Sequence, residues 1–149
     1  MIITKQKPLD EILQYLSDGA KIFIVGCAQC ATLCKTGGEE EIKQIENILK
    51  DNGKTITGSV VMDVPCNMME VKKKYAQNKQ DIGSCDVILV MACGDGVQTI
   101  MRVVDDKRIC SGLDTLFLGG YERGGHFSQK CSMCGECLLN ETGGICPVS

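Results

Sequence analysis

Eleven cysteines in 149 residues, Cys27, Cys30, Cys34, Cys66, Cys85, Cys93, Cys110, Cys131, Cys134, Cys137 and Cys146, constrain this chain more than any other feature. In a reducing cytosol such a density is kept for metal or redox chemistry rather than for structural disulfides, and an odd count fits complete pairing badly. The remaining composition is that of a soluble globular protein, 44% hydrophobic and 23% charged. With no Trp, six Phe and Tyr together and a net charge of −3, the chain has neither the basic surface nor the stacking residues of a nucleic-acid binder. Met1 to Asp18 carries Lys5, Lys7, Asp10 and Glu11 and lacks the apolar run of a signal peptide. No segment reaches membrane-spanning length, so a cytoplasmic location is expected.

Around the cysteines the hydrophobic pattern alternates between strand and helix. Leu9, Ile12, Leu13 and Leu16 fall at helical spacing, and Lys21 to Gly26 is an apolar run closed by glycine, as in a buried strand. Glu39 to Leu49 places Ile42, Ile45, Ile48 and Leu49 on one face behind three first-turn glutamates, a helix favoured by its own dipole. The pattern continues with a strand over Thr55 to Asp63, a helix over Asn67 to Tyr75, a strand over Asp86 to Met91 and a helical face of Val97, Ile100, Met101 and Val104. Leu116 to Leu118 reads as the last strand. Such alternation predicts an α/β, Rossmann-like core with about four mainly parallel strands over residues 1–120. Beyond Gly119-Gly120 the periodicity stops, and residues 121–149 read as a loop-dominated, cysteine-rich tail that needs a metal or a partner chain to hold it.

Nine cysteines form two constellations. The tail reads Cys131-x-x-Cys134-x-x-Cys137, then eight residues, then Cys146-Pro147. This echoes the bacterial ferredoxin run, with a longer gap before the fourth thiolate. Four thiolates around one zinc ion are the alternative, although structural zinc usually pairs its cysteines as two separate hooks. The other constellation begins where the first buried strand ends, at Cys27, Cys30 and Cys34. Wound helically, these would share one face. A fourth ligand would come from Cys66 or Cys93, each following a later strand, at the carboxyl edge where open parallel sheets bind ligands. Both constellations point to [4Fe-4S] clusters, and the cysteine not used at the first site would pack beside its cluster or tune it.

Plainer readings cover the rest. Cys85 and Cys110 are isolated and read as core residues, and His126 in a glycine-rich loop reads as solvated. Gly94-Asp95-Gly96 could cradle a phosphate, but a helix start with a turn explains it equally well. No nucleophile with a plausible base is present, so no catalytic residue is assigned.

Gly26-Cys27-x-x-Cys30-x-x-x-Cys34-x-Thr36-Gly37-Gly38-Glu39-Glu40, Ala92-Cys93-Gly94-x-Gly96-Val97-Gln98 and the terminal cysteine cluster together resemble the small cysteine-rich subunit of two-subunit methylenetetrahydrofolate reductases, a module also found as a C-terminal extension. The resemblance implies a non-catalytic redox subunit. Its flavin-containing catalytic partner would hold flavin and folate, and this chain would pass electrons from a donor protein to that flavin through two [4Fe-4S] clusters. It also implies zinc as an alternative occupant of Cys131, Cys134, Cys137 and Cys146. A structural adaptor that docks onto the catalytic partner is then the alternative role.

Overall fold

The computed structural model describes residues 1–121 and 123–132. In chain order these form β1 (Ile2–Gln6), α1 (Leu9–Tyr15), β2 (Lys21–Cys27), α2 (Cys30–Leu33), α3 (Glu39–Asp51), β3 (Thr55–Met62), α4 (Met68–Gln77), α5 (Lys79–Ser84), β4 (Val87–Met91), α6 (Gly94–Val103), β5 (Arg108–Ser111), β6 (Leu113–Tyr121) and β7 (Phe127–Cys131). Four strands make the expected parallel sheet, in the order β3-β2-β4-β5. Its two central strands are apolar almost throughout, because a parallel sheet flanked by helices hides both faces. Phe23, Ile24, Leu89 and Val90 have 1% exposure or less.

Helix ends follow local chemistry. The Glu41 carboxylate accepts from the Gly38 N–H at 2.9 Å and so caps α3, while Asn67 Oδ1 accepts from the N–H groups of Met69 and Glu70 to start α4. Past the end of α3, Gly53 takes the left-handed conformation (φ 73°) that releases the chain toward β3. Ile42, Ile45 and Leu49 face the sheet from α3, and Ile100 does so from α6.

Two expectations are corrected. The fourth parallel strand is β5, and Leu116 to Leu118 belongs to β6, the centre of a second, antiparallel sheet ordered β1-β6-β7. Arg108-Ile-Cys-Ser is short and opens on a charge, so it carries no apolar run to mark it, and β1 is equally brief. Among the described residues after Gly120, β6 runs on to Tyr121 and Phe127 to Cys131 pairs with it, where a loop was expected. Gly119 is the reason this hairpin closes, since a Cβ there would lie 2.1 Å from the Phe127 ring, which occupies that space and meets Tyr121 edge-on at 5.1 Å.

The antiparallel sheet is tied to the parallel one around the strand ends. Met1 and Gly119 exchange both backbone hydrogen bonds, so Ile2 and Leu118 form a non-bonded pair and the Ile2 carbonyl turns away from β6. That outer edge of β1 is covered by the loop after α2. Thr4 and Thr36 share a buried hydroxyl hydrogen bond of 2.7 Å, Gln6 Nε2 donates to the Thr36 carbonyl at 2.9 Å, and Cys34 Sγ donates to the Ile2 carbonyl at 3.8 Å. An exposed strand edge is thereby protected.

Candidate metal centre

The strand order fixes where the cysteines go. From β2 the chain crosses to β3 on one side, then returns past β2 to lay down β4 on the other side. The connections therefore diverge between β2 and β4, and the crevice at their carboxyl ends is where sheets of this kind bind ligands. Gly26 pairs with Met91, so Cys27 at the end of β2 and Cys93 just past β4 lie at that divergence. Cys27 also pairs with Met62, and the chain after Met62 leads within four residues to Cys66.

Backbone packing closes the floor of the crevice. The Gly37 carbonyl accepts from the Cys27 N–H at 2.9 Å, and a Cβ on Gly37 would sit 2.0 Å from the Met91 carbonyl oxygen. A Cβ on Gly26 would come within 2.7 Å of the Gly37 oxygen. The glycines expected to mark this motif thus let the loop after α2 lie directly on two strand ends, with no side chain between.

The helical-face expectation for Cys27, Cys30 and Cys34 is corrected here. Only Cys30 to Leu33 is α-helical, Cys27 is still in the strand, and Cys34 is the residue at which α2 stops. Lys35, at φ 54°, turns the chain out of the helix, and the Thr36 and Gly37 N–H groups both return to the Ala31 carbonyl. The turn aims the Cys34 thiol at the Ile2 carbonyl.

Four other sulfurs share a neighbourhood. Cys66 is an exposed residue, yet burial of its sulfur, then the Asp95 carboxylate, then Cys93 and Cys27 hold its thiol above the ordinary value. Burial likewise pushes the buried Cys93 thiol up; the Gly96 and Asp95 N–H groups pull it partly back, and Cys30 and Cys27 push it up again. The Gln29 N–H points at Cys27 Sγ at 3.4 Å. Raised thiols at Cys66 and Cys93 suit a bound cation, which would reverse the electrostatics and displace their protons. Cys66 and Cys93, left as alternatives by the sequence, both stand in this group with Cys27 and Cys30. Among the described residues, no three His, Cys, Asp or Glu side chains close round a single-ion site.

The remaining candidates are soon placed. Cys85 and Cys110 are buried core residues at 2% and 6% exposure, and His126 is exposed. Cys131 ends β7, while Cys134, Cys137 and Cys146 lie outside the described residues. The Gly94 N–H donates to Thr115 Oγ1 at 2.9 Å, so one of the N–H groups a phosphate would need is already taken. Sequence reasoning gave Asp95 and Thr36 no role of their own. Asp95 stands in the sequence only as the middle of a glycine pair, and nothing local announces that Thr36 bonds a strand 32 residues earlier.

Fold and site together define an α/β protein that carries cysteines past the carboxyl ends of its parallel strands, at the topological switch of the sheet. Residues 110–149, from β5 through the terminal cysteines, match the family model described as methylene-tetrahydrofolate reductase C terminal, which supports a relation to that reductase. No curated protein matches the chain. Among the described residues no helix is long and apolar enough to cross a membrane.

Proposed function

We propose that this chain is an iron–sulfur electron-transfer subunit that delivers electrons to the flavin of a methylenetetrahydrofolate reductase catalytic subunit. The observation that carries the reading is the gathering of Cys27, Cys30, Cys66 and Cys93 at the carboxyl ends of three parallel strands. The donor set fits a cluster. Four sulfur ligands suit [4Fe-4S], and a cluster takes its thiolates around a multi-atom core, more widely spaced than the ~3.8 Å separation that tetrahedral zinc with ~2.3 Å bonds demands. A bound cluster supplies one-electron chemistry without proton transfer. Cys27, Cys30, Cys66 and Cys93 would hold it, with the Gln29 N–H at Cys27 and the Asp95 and Gly96 N–H groups at Cys93 favouring negative charge on sulfur.

The match of residues 110–149 supports the reductase as the setting, with substrate and flavin on the partner and an electron-donor protein upstream. Cys131, Cys134, Cys137 and Cys146 would hold a second [4Fe-4S] cluster, or zinc serving only to fix the tail. Iron, acid-labile sulfide and zinc per chain, measured on protein purified without oxygen, test the reading. About eight iron and eight sulfide with a dithionite-bleachable spectrum is the expected result. About four iron with one zinc keeps the electron-transfer role and makes the tail structural. Zinc alone, without colour, overturns the reading and leaves an adaptor that docks onto the catalytic subunit.

A further inference from the structure

We infer that β3 is a dimerisation edge: it pairs antiparallel with β3 of a second copy of this chain about a two-fold axis through Val60, joining two four-stranded sheets into one of eight strands.

The other strand edges of the fold are guarded. The outer side of β1 lies under the loop after α2. The four-residue β5 opens on Arg108, whose guanidinium is drawn to the Tyr15 carbonyl and the Ser17 hydroxyl, and β7 carries Lys130. Cover, short length and charge are the usual protections of a strand edge, and β3 has none of them. It runs eight residues, Thr55-Ile-Thr-Gly-Ser-Val-Val-Met62, without a charge or a proline, and among the described residues it pairs only with β2. Such an edge is a template for another strand.

The main chain suits a copy of itself. The Met62 carbonyl accepts from the Ala28 N–H, so Met62 and Val60 direct their polar groups at β2, and those of Ser59 and Val61 point outward. Antiparallel pairing about Val60 sets Ser59 of each copy opposite Val61 of the other, and each pair exchanges two hydrogen bonds. A residue close to a two-fold axis meets its own copy, so a charge there would repel itself. Val60 and its neighbours on β3 carry none.

α3 fits the same axis. Ile42 packs over Gly26, where an added Cβ would lie 2.8 Å from Ile42 Cγ1, and Gly26 pairs with Val61. At about 1.5 Å per helical residue against about 3.3 Å per strand residue, the point between Gln44 and Ile45 comes level with Val60. With Ile42, Ile45 and Leu49 buried against the sheet, the right-handed crossover of parallel strands turns the stripe Glu39, Lys43, Glu46 and Lys50 toward the β3 edge. Glu39 accordingly lines a cavity with Val61. The axis then sets the two α3 helices antiparallel at about 10 Å, an ordinary packing distance. Glu39 comes opposite Lys50 of the second copy and Lys43 opposite its Glu46, so the stripes match in charge. Within one chain Glu46 and Lys50 stand 3.8 Å apart, while Lys43 has no ion pair among the described residues. The axis also sends the strand-end cysteines of the two copies to opposite ends of the sheet, so the inference stands apart from whether they hold iron.

Sedimentation equilibrium on the full chain, purified without oxygen, should give twice the chain mass, falling toward one chain on dilution. Ser59→Pro removes two of the four bonds per dimer, at about tenfold each, and should weaken dimerisation on the order of a hundredfold. Proline is tolerated where an edge strand turns its N–H outward, and far-ultraviolet circular dichroism reads the fold. Lys43→Glu sets like charges together and should weaken the dimer about tenfold, an effect that shrinks at high salt. Lys43→Glu/Glu46→Lys exchanges the pair and should restore it. Should Ser59→Pro not fold, the two variants on the exposed side of α3 decide alone. A wild-type chain that is monomeric at every concentration overturns the inference, whether residues 133–149 or another protein covers the edge. A dimer that Lys43→Glu leaves unchanged, or that the exchange does not restore, overturns it as well.

Discussion

Gly37→Ala is the sharpest test of how the crevice is built. The new Cβ would fall 2.0 Å from the Met91 carbonyl oxygen, 2.9 Å from its carbon and 3.0 Å from its Cβ. The first two are main-chain atoms of a central strand bonded on both sides, so neither can swing away as a side chain would. Gly37 has no left-handed φ, and the cost is purely steric. Inserting a methyl group into a packed interior costs about 1–3 kcal/mol, and a backbone contact this short belongs at or above the upper end. About 3 kcal/mol is a large part of the 5–15 kcal/mol that holds a domain of this size, and it corresponds to a fall in Tm of roughly 6–12 °C. Gly83→Ala is the matched control: it sits in α5 with nothing within 4 Å of its Cβ and should stabilise by about 0.5–1 kcal/mol. Urea unfolding followed by far-ultraviolet circular dichroism, on anaerobic protein at fixed metal content, reads both. If Gly37→Ala unfolds within 0.5 kcal/mol of wild type, the loop does not rest on β4 and the description of the crevice floor is wrong.

Other expectations follow from the same contacts. Under the proposed iron–sulfur reading, Cys66→Ser and Cys93→Ser should each remove the strand-end iron, whereas Cys34→Ser should keep it; equal loss in all three would make Cys34 a ligand as well. Cys134→Ser should abolish the tail's metal and spare the strand-end centre, so simultaneous loss of both metals would show that the sites depend on each other. Thr36→Val leaves the Thr4 hydroxyl buried without this partner and should cost about 1–3 kcal/mol in chemical denaturation, while the Thr4→Val/Thr36→Val pair should recover most of it; a double variant no better than the single would remove the hydrogen bond as the cause. Lys7 donates to Asp114 and Glu11, and these bonds hold its ammonium well above the usual range. A raised folded value means the contribution is complete below ~10.4 and is lost as pH climbs through the folded pKa. The stability gap between wild type and Lys7→Met should therefore stay level from pH 7 to about 10 and narrow only above it; a gap that closes near neutrality would contradict this account.

The parallel core was readable because its strands and helices each carry their own period. Lys21 to Cys27 and Val87 to Met91 are nearly all apolar, and Glu39 to Asp51 couples an apolar stripe to an acidic first turn. What escaped was structure made by pairing rather than by pattern. Ile2 to Gln6 and Phe127 to Cys131 are too short and too polar to announce themselves, and become strands only because β6 lies between them. The site divided along the same line. That cysteines following successive strands would meet followed from the topology, which needed only the alternation. That the Cys34 thiol would meet the Ile2 carbonyl depended on Lys35 adopting φ 54° and on a strand more than thirty residues away, and neither is visible in local spacing.

The bond between the first residue and Gly119 has a temporal side. The Met1 ammonium and the Gly119 carbonyl meet at 2.6 Å across a sequence separation of 118 residues, and β6 is the partner that holds β1 in place. At ribosomal speeds of ~5–20 residues per second, on the order of 10 s passes between emergence of the first strand and of the one that pins it. During that interval Cys27 and Cys30 have already been synthesised while the clamp over their loop has not. The loop after α2 is therefore made well before β6, the strand that fixes its neighbour β1.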